Sequence, residues 1–169
     1  EMVFCENCTL LQLKHTAPQE LLYARYYWYK SGVTDTMTKA LRDITAKVEM
    51  MINLTEGDIV LDIGSNDGTL LRSYSVPGLI TVGVEPADNL VEEGKRGLTH
   101  YIHDFWNYEV FAKTVNQKAK IITAIGMFYD LENPNTFIKD ASLALDDNGI
   151  FIAQLMCLKS MIEKNDLGN

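Results

Sequence analysis

Residues 59–68 read Ile59-Val60-Leu61-Asp62-Ile63-Gly64-Ser65-Asn66-Asp67-Gly68. The first half predicts a short apolar strand. The second half predicts a tight loop, because Gly64 and Gly68 can adopt backbone conformations that other residues avoid and let a ligand approach the main chain. A helix is predicted to begin in residues 69–74, and free N–H groups at its start would favour a negative or polar group. The stretch therefore predicts a strand, a ligand-binding loop and a helix in succession.

Strands and helices alternate on the C-terminal side of this loop. Apolar runs predict further strands at 79–84, 101–102, 121–125 and 150–155, and helical patterns are predicted at 89–95, 110–115 and 134–145. This alternation predicts an α/β, Rossmann-like fold, in which a mostly parallel sheet carries helices on both faces. Such sheets bind ligands at the carboxyl ends of their strands, near the topological switch point.

The residues on the N-terminal side of the loop divide into two segments. Residues 1–16 form a small piece that contains two cysteines, and residues 17–56 form an aromatic linker followed by a helix. This helix is predicted from Asp35 to about Ile52, because apolar residues recur there at steps of three and four. Thr34 or Asp35 can cap its first turn. Residues 57–169 form the predicted core domain.

Composition and charge exclude several classes of function. The net charge is −8 and no stretch concentrates Lys and Arg, so a nucleic acid would be repelled over most of the surface. The longest apolar runs are far shorter than a membrane span, and no segment resembles a signal peptide. We therefore expect a cytoplasmic protein that acts on a small molecule and has neither a nucleic acid nor a membrane as partner.

An acidic residue, Glu85, ends the second predicted strand 21 residues after Gly64. A carboxylate at this position can accept both hydroxyls of a ribose, and the spacing is typical of nucleotide sites. The dinucleotide fingerprint needs glycine where Asn66 and Thr69 stand, and no Lys-Ser/Thr pair follows the loop as in a P-loop. A tight turn without a ligand is the alternative, and the position of Glu85 argues against it.

The pattern Asp62-x-Gly64-x-x-x-Gly68 resembles the first motif of class I S-adenosylmethionine-dependent methyltransferases, with Asn66 in place of their usual middle glycine. Within that class, nearly the whole chain resembles the sugar C-methyltransferases of deoxysugar biosynthesis. The segments that carry this likeness are YWYKSG (27–32), LDIGSNDGTLL (61–71), MFYDLENP (127–134), DNGIF (147–151) and QLMCLKSM (154–161). The resemblance implies an N-terminal zinc module, a central cofactor domain and a C-terminal sugar-nucleotide domain. This chain would hold the end of the first and most of the second.

The resemblance also implies a set of contacts with S-adenosylmethionine. Tyr29 and Ser31 would close over the cofactor, and Glu85 would hold its ribose. Gly64, Ser65 and Gly68 would lie beside its methionine portion, with Asp62 and Asn66 in the same loop. Asp104 and Phe105 would contact the adenine, and Met127 and Phe128 would line the cofactor near the fourth strand. Packing alone is the alternative for the tyrosines of residues 23–29.

The spacing of Cys5 and Cys8 is that of a zinc knuckle, but a structural zinc site normally needs four ligands. The resemblance implies a second Cys pair upstream, so we expect Cys5 and Cys8 to form an incomplete site in this chain. A thioredoxin-like redox pair is less favoured, because no βαβ pattern surrounds it. Three cysteines without a secretory signal argue against a disulfide framework, and Cys157, in an apolar run, is expected to be buried.

In the family resembled, a base removes the proton beside the ketone of a nucleotide-linked 4-keto-deoxysugar, and the resulting carbanion attacks the methyl group. The implied base is a His in a His-Glu-His segment downstream of residues 163–166. We interpret the chain as an excerpt that binds cofactor without turning over sugar, and no catalytic residue is assigned. A non-catalytic S-adenosylmethionine-binding or partner-docking module of the same fold is the main alternative, and an NAD-dependent sugar enzyme is another.

Overall fold

A computed structural model describes residues 1–165, so the last four residues of the predicted core lie outside the described part. The strands are β1 (Met2–Phe4), β2 (Leu11–Leu13), β3 (Ile59–Ile63), β4 (Ile80–Val84), β5 (His100–Ile102), β6 (Ala119–Ile125) and β7 (Leu145–Gln154). The α-helices are α1 (Asp35–Met51), α2 (Val91–Gly94), α3 (Tyr108–Thr114), α4 (Pro134–Ala144) and α5 (Leu158–Lys164). The elements alternate as the sequence predicts.

Strands β3 to β7 form a five-stranded sheet in the order β5-β4-β3-β6-β7, and each neighbouring pair is parallel. The chain builds outward from β3 to β4 and β5, and then returns to the other edge of β3 with β6. The switch point therefore lies between β3 and β6, where loops leaving the two carboxyl ends diverge and open a crevice. The predicted α/β fold with a mostly parallel sheet is confirmed.

Alternate residues of β3 enter two cores on opposite faces of the sheet. Leu61 and its odd-numbered neighbours pack with Phe111 of α3 and Phe137 of α4. Val60 packs on the other face with Val48 of α1. Every residue of β3 is buried, as expected for a central strand that is covered on both sides. The first helix of the chain thus covers one face of the sheet and the later helices cover the other.

Side-chain caps fix where the longer helices begin. The Thr34 hydroxyl accepts a hydrogen bond from the backbone N–H of Met37 at 3.3 Å, so Thr34, and not Asp35, caps α1. Asn107 and Asn133 cap α3 and α4 in the same way. Within residues 1–165, every helix is too short or too polar to cross a lipid bilayer.

The helix predicted from residue 69 is replaced by a single 3-10 turn, Leu71–Ser73. The Ser73 hydroxyl donates to the carbonyl of Thr69 at 2.8 Å, which is the carbonyl that the Ser73 N–H would use in an α-helix. The Ser73 N–H bonds to Leu70 instead. Pro77 then disfavours helical backbone at the residue before it. The loop after β3 therefore leads into a single turn, so the helix dipole predicted at this position is not formed.

Cys157 is exposed, so the prediction that it is buried is wrong. It lies in the connection between the end of β7 and the first residue of α5. Leu155 and Met156 in the same connection are also exposed. The apolar run therefore leaves the sheet at its edge instead of continuing into the core.

Candidate functional site

A cavity of about 650 Å³ lies at the carboxyl ends of the central strands. The loop after β3, the end of β4 and the residues after β6 form its walls, and residues from the N-terminal side of α1 also contribute. The cavity coincides with the switch point of the sheet, where folds of this type bind their ligands.

Most of the predicted cofactor contacts line this cavity. They are Tyr29, Ser31, Asp62, Gly64, Ser65, Asn66, Glu85, Phe105 and Met127. The structure therefore brings together residues that are up to about a hundred positions apart in the chain, because parallel strands end at the same edge of the sheet.

The remaining three predicted contacts lie outside the cavity lining. A side chain at Gly68 would meet the carbonyl oxygen of Gly94 at 2.8 Å, so this glycine serves close packing of two backbone segments. Asp104 is exposed, and its carboxylate accepts from the N–H of Phe105 at 2.7 Å. Phe128 packs edge-on against Phe137 in the core at a ring distance of 5.4 Å.

Glu85 is held rigidly at the end of β4 and is 5% exposed. One carboxylate oxygen accepts from the N–H of Asn66 at 2.9 Å, and the other accepts from the N–H of Ala87 at 3.0 Å. Burial raises the pKa of Glu85, while these two N–H groups and His103 act in the opposite direction. Each carboxylate oxygen keeps a further lone pair, so the oriented group can still accept hydroxyl hydrogens.

Asp62 is buried at the end of β3, beside the same cavity. Its carboxyl oxygen lies 2.6 Å from the hydroxyl of Thr123 on the neighbouring strand β6. Burial raises the pKa of Asp62 to about 7, Glu85 adds to this shift, and the Thr123 hydroxyl opposes it. The base of the cavity therefore holds two carboxyl groups, neither of which has a salt-bridge partner closer than 4.0 Å within residues 1–165.

Most backbone N–H groups of the loop after β3 already have partners inside the protein. The N–H groups of Gly64 and Ser65 bond to the carbonyl of Val84 at 2.9 and 3.1 Å. Those of Gly68 and Thr69 bond within the loop at 2.9 and 3.0 Å. A loop that cradles phosphates would instead aim these donors at the ligand. The loop therefore has few free N–H donors to offer a phosphate.

Residues 34–166 match the family model described as a methyltransferase domain, and this match covers more than half of the chain. The chain belongs to the methyltransferase domain family. Over 167 residues it is also 24% identical to the C-methyltransferase NovU of Streptomyces niveus. That match covers 98% of this chain but only 40% of the relative.

Solved structures show the same fold for this methyltransferase domain. The plantazolicin methyltransferase BpumL, in complex with a desmethylPZN analog and SAH, is 17% identical and has a TM-score of 0.56, with 75% of this chain and 49% of that chain covered. A SAM-dependent methyltransferase from Geobacter sulfurreducens, in complex with S-adenosyl-L-homocysteine, is 18% identical and has a TM-score of 0.52, with 81% and 57% covered. At these identities the likeness establishes the fold alone.

Two polar atoms in the wall of the methyltransferase cavity lack a hydrogen-bond partner within residues 1–165. They are the hydroxyl of Ser65 and the ring nitrogen of Trp106, and both atoms are buried. An unpaired buried polar group costs about 1–3 kcal/mol. Both atoms have almost no accessible surface, and a Cβ at Gly83 would lie 2.7 Å from the Ser65 hydroxyl, so they face packed protein. The cavity fits a polar cofactor because the buried carboxyl groups of Asp62 and Glu85 line it.

The methyltransferase cavity also contains residues that the sequence did not identify. They are Gln19, Tyr23, Tyr27, Met37, Leu41, Trp106, Tyr129 and Asp130, together with apolar residues of the strand ends. Burial, followed by the neighbouring Asp130 carboxylate, raises the pKa of Tyr23 to about 12, so its hydroxyl keeps its proton. The sequence feature that could have indicated these residues is the cluster of tyrosines in residues 23–29. Packing within the protein explains such a cluster without any ligand.

Cys5 and Cys8 lie in the turn of the antiparallel hairpin formed by β1 and β2. The N–H of Cys5 bonds to the carbonyl of Leu10 at 2.9 Å, and hydrogen bonds from Cys8 and Asn7 lower the pKa of the Cys5 thiol. No group of three or more His, Cys, Asp or Glu side chains that could hold a metal ion occurs among residues 1–165. Zinc binding by this pair stays a prediction.

An alanine at Gly64 should weaken cofactor binding, whereas an alanine at Gly57 should not. Both glycines have positive φ, of +73° and +89°, so each substitution costs about 1 kcal/mol in backbone strain. The new Cβ at Gly64 would lie 3.1 Å from Cγ of Met127 in the cavity wall, whereas nothing lies within 4 Å at Gly57. We expect both variants to lose thermal stability, Gly64→Ala somewhat more because Met127 must move, and we expect a loss of about tenfold in affinity for S-adenosylhomocysteine in Gly64→Ala alone. Equal affinities of the two variants, measured by calorimetry, would contradict the role of Gly64.

Proposed function

We propose that this chain binds S-adenosylmethionine in the switch-point cavity, and that the protein methylates a carbon next to the ketone of a nucleotide-linked keto-deoxysugar. Membership in the methyltransferase domain family supports the reaction class. The likeness to a C-methyltransferase over 98% of this chain supports carbon as the acceptor. The sugar substrate rests on the motif resemblance.

The choice of S-adenosylmethionine as cofactor rests on the charge of the cavity. The residues that line it include three carboxyl groups, of Asp62, Glu85 and Asp130, and among the described residues the lining has no Lys, Arg or His. S-adenosylmethionine carries a sulfonium, an ammonium and a carboxylate group, so its net charge is positive, whereas NAD carries two phosphates and has a net negative charge. Opposite charges attract strongly in a partly buried site, so this cavity favours the cationic cofactor and disfavours the dinucleotide.

Each part of the proposed cofactor has a matching group in the wall. Glu85 would accept the ribose hydroxyls, and the loop at Gly64 and Ser65 would lie beside the methionine portion. Phe105 would stack on the adenine, with Asp104 at the exposed rim beside it. Gly64 would let the methionine portion approach the backbone, because it has no side chain at this point, and an added Cβ would press on Met127 of the cavity wall.

When bound, S-adenosylmethionine supplies an electrophilic methyl group. The chain's own contribution is to orient the cofactor with Glu85 and the loop after β3, and to enclose it with Tyr29, Ser31 and the residues after β6. Holding two reacting centres in line replaces a bimolecular encounter with an intramolecular one. The base that deprotonates the sugar is not assigned to a residue of this chain, so binding and not turnover is the property to measure.

The experiment is a calorimetric titration of the chain with S-adenosylhomocysteine and, in parallel, with NADH. We expect binding of S-adenosylhomocysteine and no heat with NADH. Binding of NADH alone by a folded sample would overturn the proposal in favour of a dinucleotide enzyme. A folded sample that binds neither ligand would contradict cofactor binding by this chain.

A further inference from the structure

A short segment, Tyr27–Gly32, forms one wall of the cofactor cavity; we call it the strap. Its residues Tyr27, Tyr29 and Ser31 line the cavity, whereas Trp28 between them is 87% exposed. The strap ends in the first two residues of a 3-10 turn, Ser31–Val33. The strap lies outside both sheets, so other groups must satisfy its backbone.

Three side chains take the place of a neighbouring strand. The Asn89 amide pairs with both backbone groups of Tyr27, at 2.9 and 3.0 Å. The Asn66 amide accepts from the N–H of Ser31 at 2.9 Å and donates to the carbonyl of Tyr29 at 3.0 Å. The Asp67 carboxylate accepts from the N–H of Gly32. The salt bridge from Lys30 to Glu93 is exposed, and pairs of this kind contribute little.

Asn66 joins the strap to the part of the site that would hold the ribose. Its backbone N–H donates to Glu85 at 2.9 Å while its side chain holds Tyr29 and Ser31. Its φ is +51°, a left-handed conformation that asparagine tolerates and that glycine adopts without cost. Glycine would therefore preserve the loop backbone while removing the tie to the strap.

We propose that Asn66 is a positioning residue that docks the strap onto the cofactor loop and so sets the affinity of the cavity for its cofactor. The inference rests on the proposed function for the identity of the cofactor. Tyr29 and Ser31 reach the cavity only because the amide of Asn66 fixes the backbone on either side of Lys30. Without it, the backbone of the strap is held at Tyr27 and Gly32, and the Lys30–Glu93 salt bridge adds a side-chain contact.

The test compares Asn66→Gly with Asn165→Gly. Asn165 has the same left-handed backbone, with φ of +52°, and follows α5, so it is matched in chemistry and conformation. We expect amide exchange of residues 28–32 without ligand to rise about tenfold in Asn66→Gly, as for the loss of one or two hydrogen bonds. The dissociation constant for S-adenosylhomocysteine should rise by a similar factor. Asn66→Gly should also melt a few degrees below Asn165→Gly, because the lost hydrogen bonds stabilise the folded chain.

A second variant, Asn89→Ala, loosens the other end of the strap and should raise exchange around Tyr27 and weaken binding in the same direction. Unchanged exchange of the strap in Asn66→Gly would overturn the inference, whatever the ligand result. Faster exchange with unchanged affinity would also overturn it, because the strap would then be docked without serving the cofactor. Failure of the unmodified chain to bind S-adenosylhomocysteine would instead overturn the proposed function, and the exchange comparison would still decide whether Asn66 docks the strap.

Discussion

Replacement of Glu85 by alanine will lower the affinity for S-adenosylhomocysteine by about a hundredfold or more. A hydrogen bond to a charged group contributes about 1.5–3 kcal/mol, and a carboxylate that accepts two ribose hydroxyls makes two of them. A loss of about 2.8 kcal/mol already corresponds to a hundredfold change in the dissociation constant. Calorimetric titration of the folded variant measures this directly.

The size of the effect follows from how Glu85 is held. Two backbone N–H groups, those of Asn66 and Ala87, fix both carboxylate oxygens before any ligand arrives. The ligand therefore does not have to order this side chain, which would otherwise cost part of the binding free energy. Nearly the whole gain from the two ribose hydrogen bonds would appear as affinity.

Two further variants separate binding from folding. Glu109→Ala removes an exposed carboxylate from α3, whose salt bridge to Lys113 is long at 3.8 Å, and should change neither affinity nor stability. Glu85→Gln keeps the volume of the side chain and one acceptor oxygen, but its amide nitrogen cannot accept from the second N–H group. We expect Glu85→Gln to bind at intermediate strength. If a folded Glu85→Ala variant binds S-adenosylhomocysteine as tightly as the parent chain does, the ribose lies elsewhere.

The sequence predicts those parts of this site whose structure depends on a short stretch of residues. A buried strand, a loop with glycines at positive φ and an acid at the end of the next strand follow from short stretches of sequence, and Glu85 and Gly64 lie where the sequence predicts them. The helix predicted from residue 69 is wrong because Ser73 and Pro77 favour a single turn. The Ser73 hydroxyl takes the carbonyl that a helical N–H would use, and the Pro77 ring restricts the backbone before it. Neither effect changes the spacing of apolar residues on which the helix prediction rests.

The other half of the cavity could not be predicted, because it depends on contacts between distant residues. The Gln19 amide donates to the carbonyl of Asp130 at 3.1 Å across 111 positions of sequence. Tyr23 lies beside the same Asp130. A cluster of tyrosines carries no sign of which residue it will face, so packing is the favoured interpretation over ligand contact until the fold is known. The sequence predicts a cofactor contact for Asn66, and it gives no sign of the hydrogen bonds from this residue to the strap.

The stability of the folded chain should fall as the pH rises from about 4 to about 7, and the substitution Asp62→Asn should remove much of this dependence. An unfolded Asp has a pKa of about 3.9, whereas burial, with the nearby Glu85, raises the pKa of Asp62 in the folded chain to about 7. The folded state therefore binds the Asp62 proton more tightly than the unfolded state, and stability is lost as that proton leaves. The loss is on the order of 4 kcal/mol by pH 8.

The measurement is thermal unfolding of the parent chain, Asp62→Asn and Asp43→Asn at several pH values from 5 to 8. The amide in Asp62→Asn has the size of the carboxyl group and keeps an oxygen for the Thr123 hydroxyl, so the core geometry should survive. The gain in melting temperature over the parent should grow with pH and reach about 10 °C at pH 8. Asp43 is exposed on α1, and its variant should track the parent at every pH.

The same burial that makes an ionised Asp62 costly at high pH would favour a positively charged ligand in the cavity. No basic side chain lies within 4.0 Å of the Asp62 carboxylate among residues 1–165, so a positively charged ligand would provide the missing compensation. A gain for Asp62→Asn that stays constant from pH 5 to pH 8 would mean that the folded chain keeps Asp62 ionised throughout this range. The preference for a cation would then have to come from Glu85 and Asp130 alone.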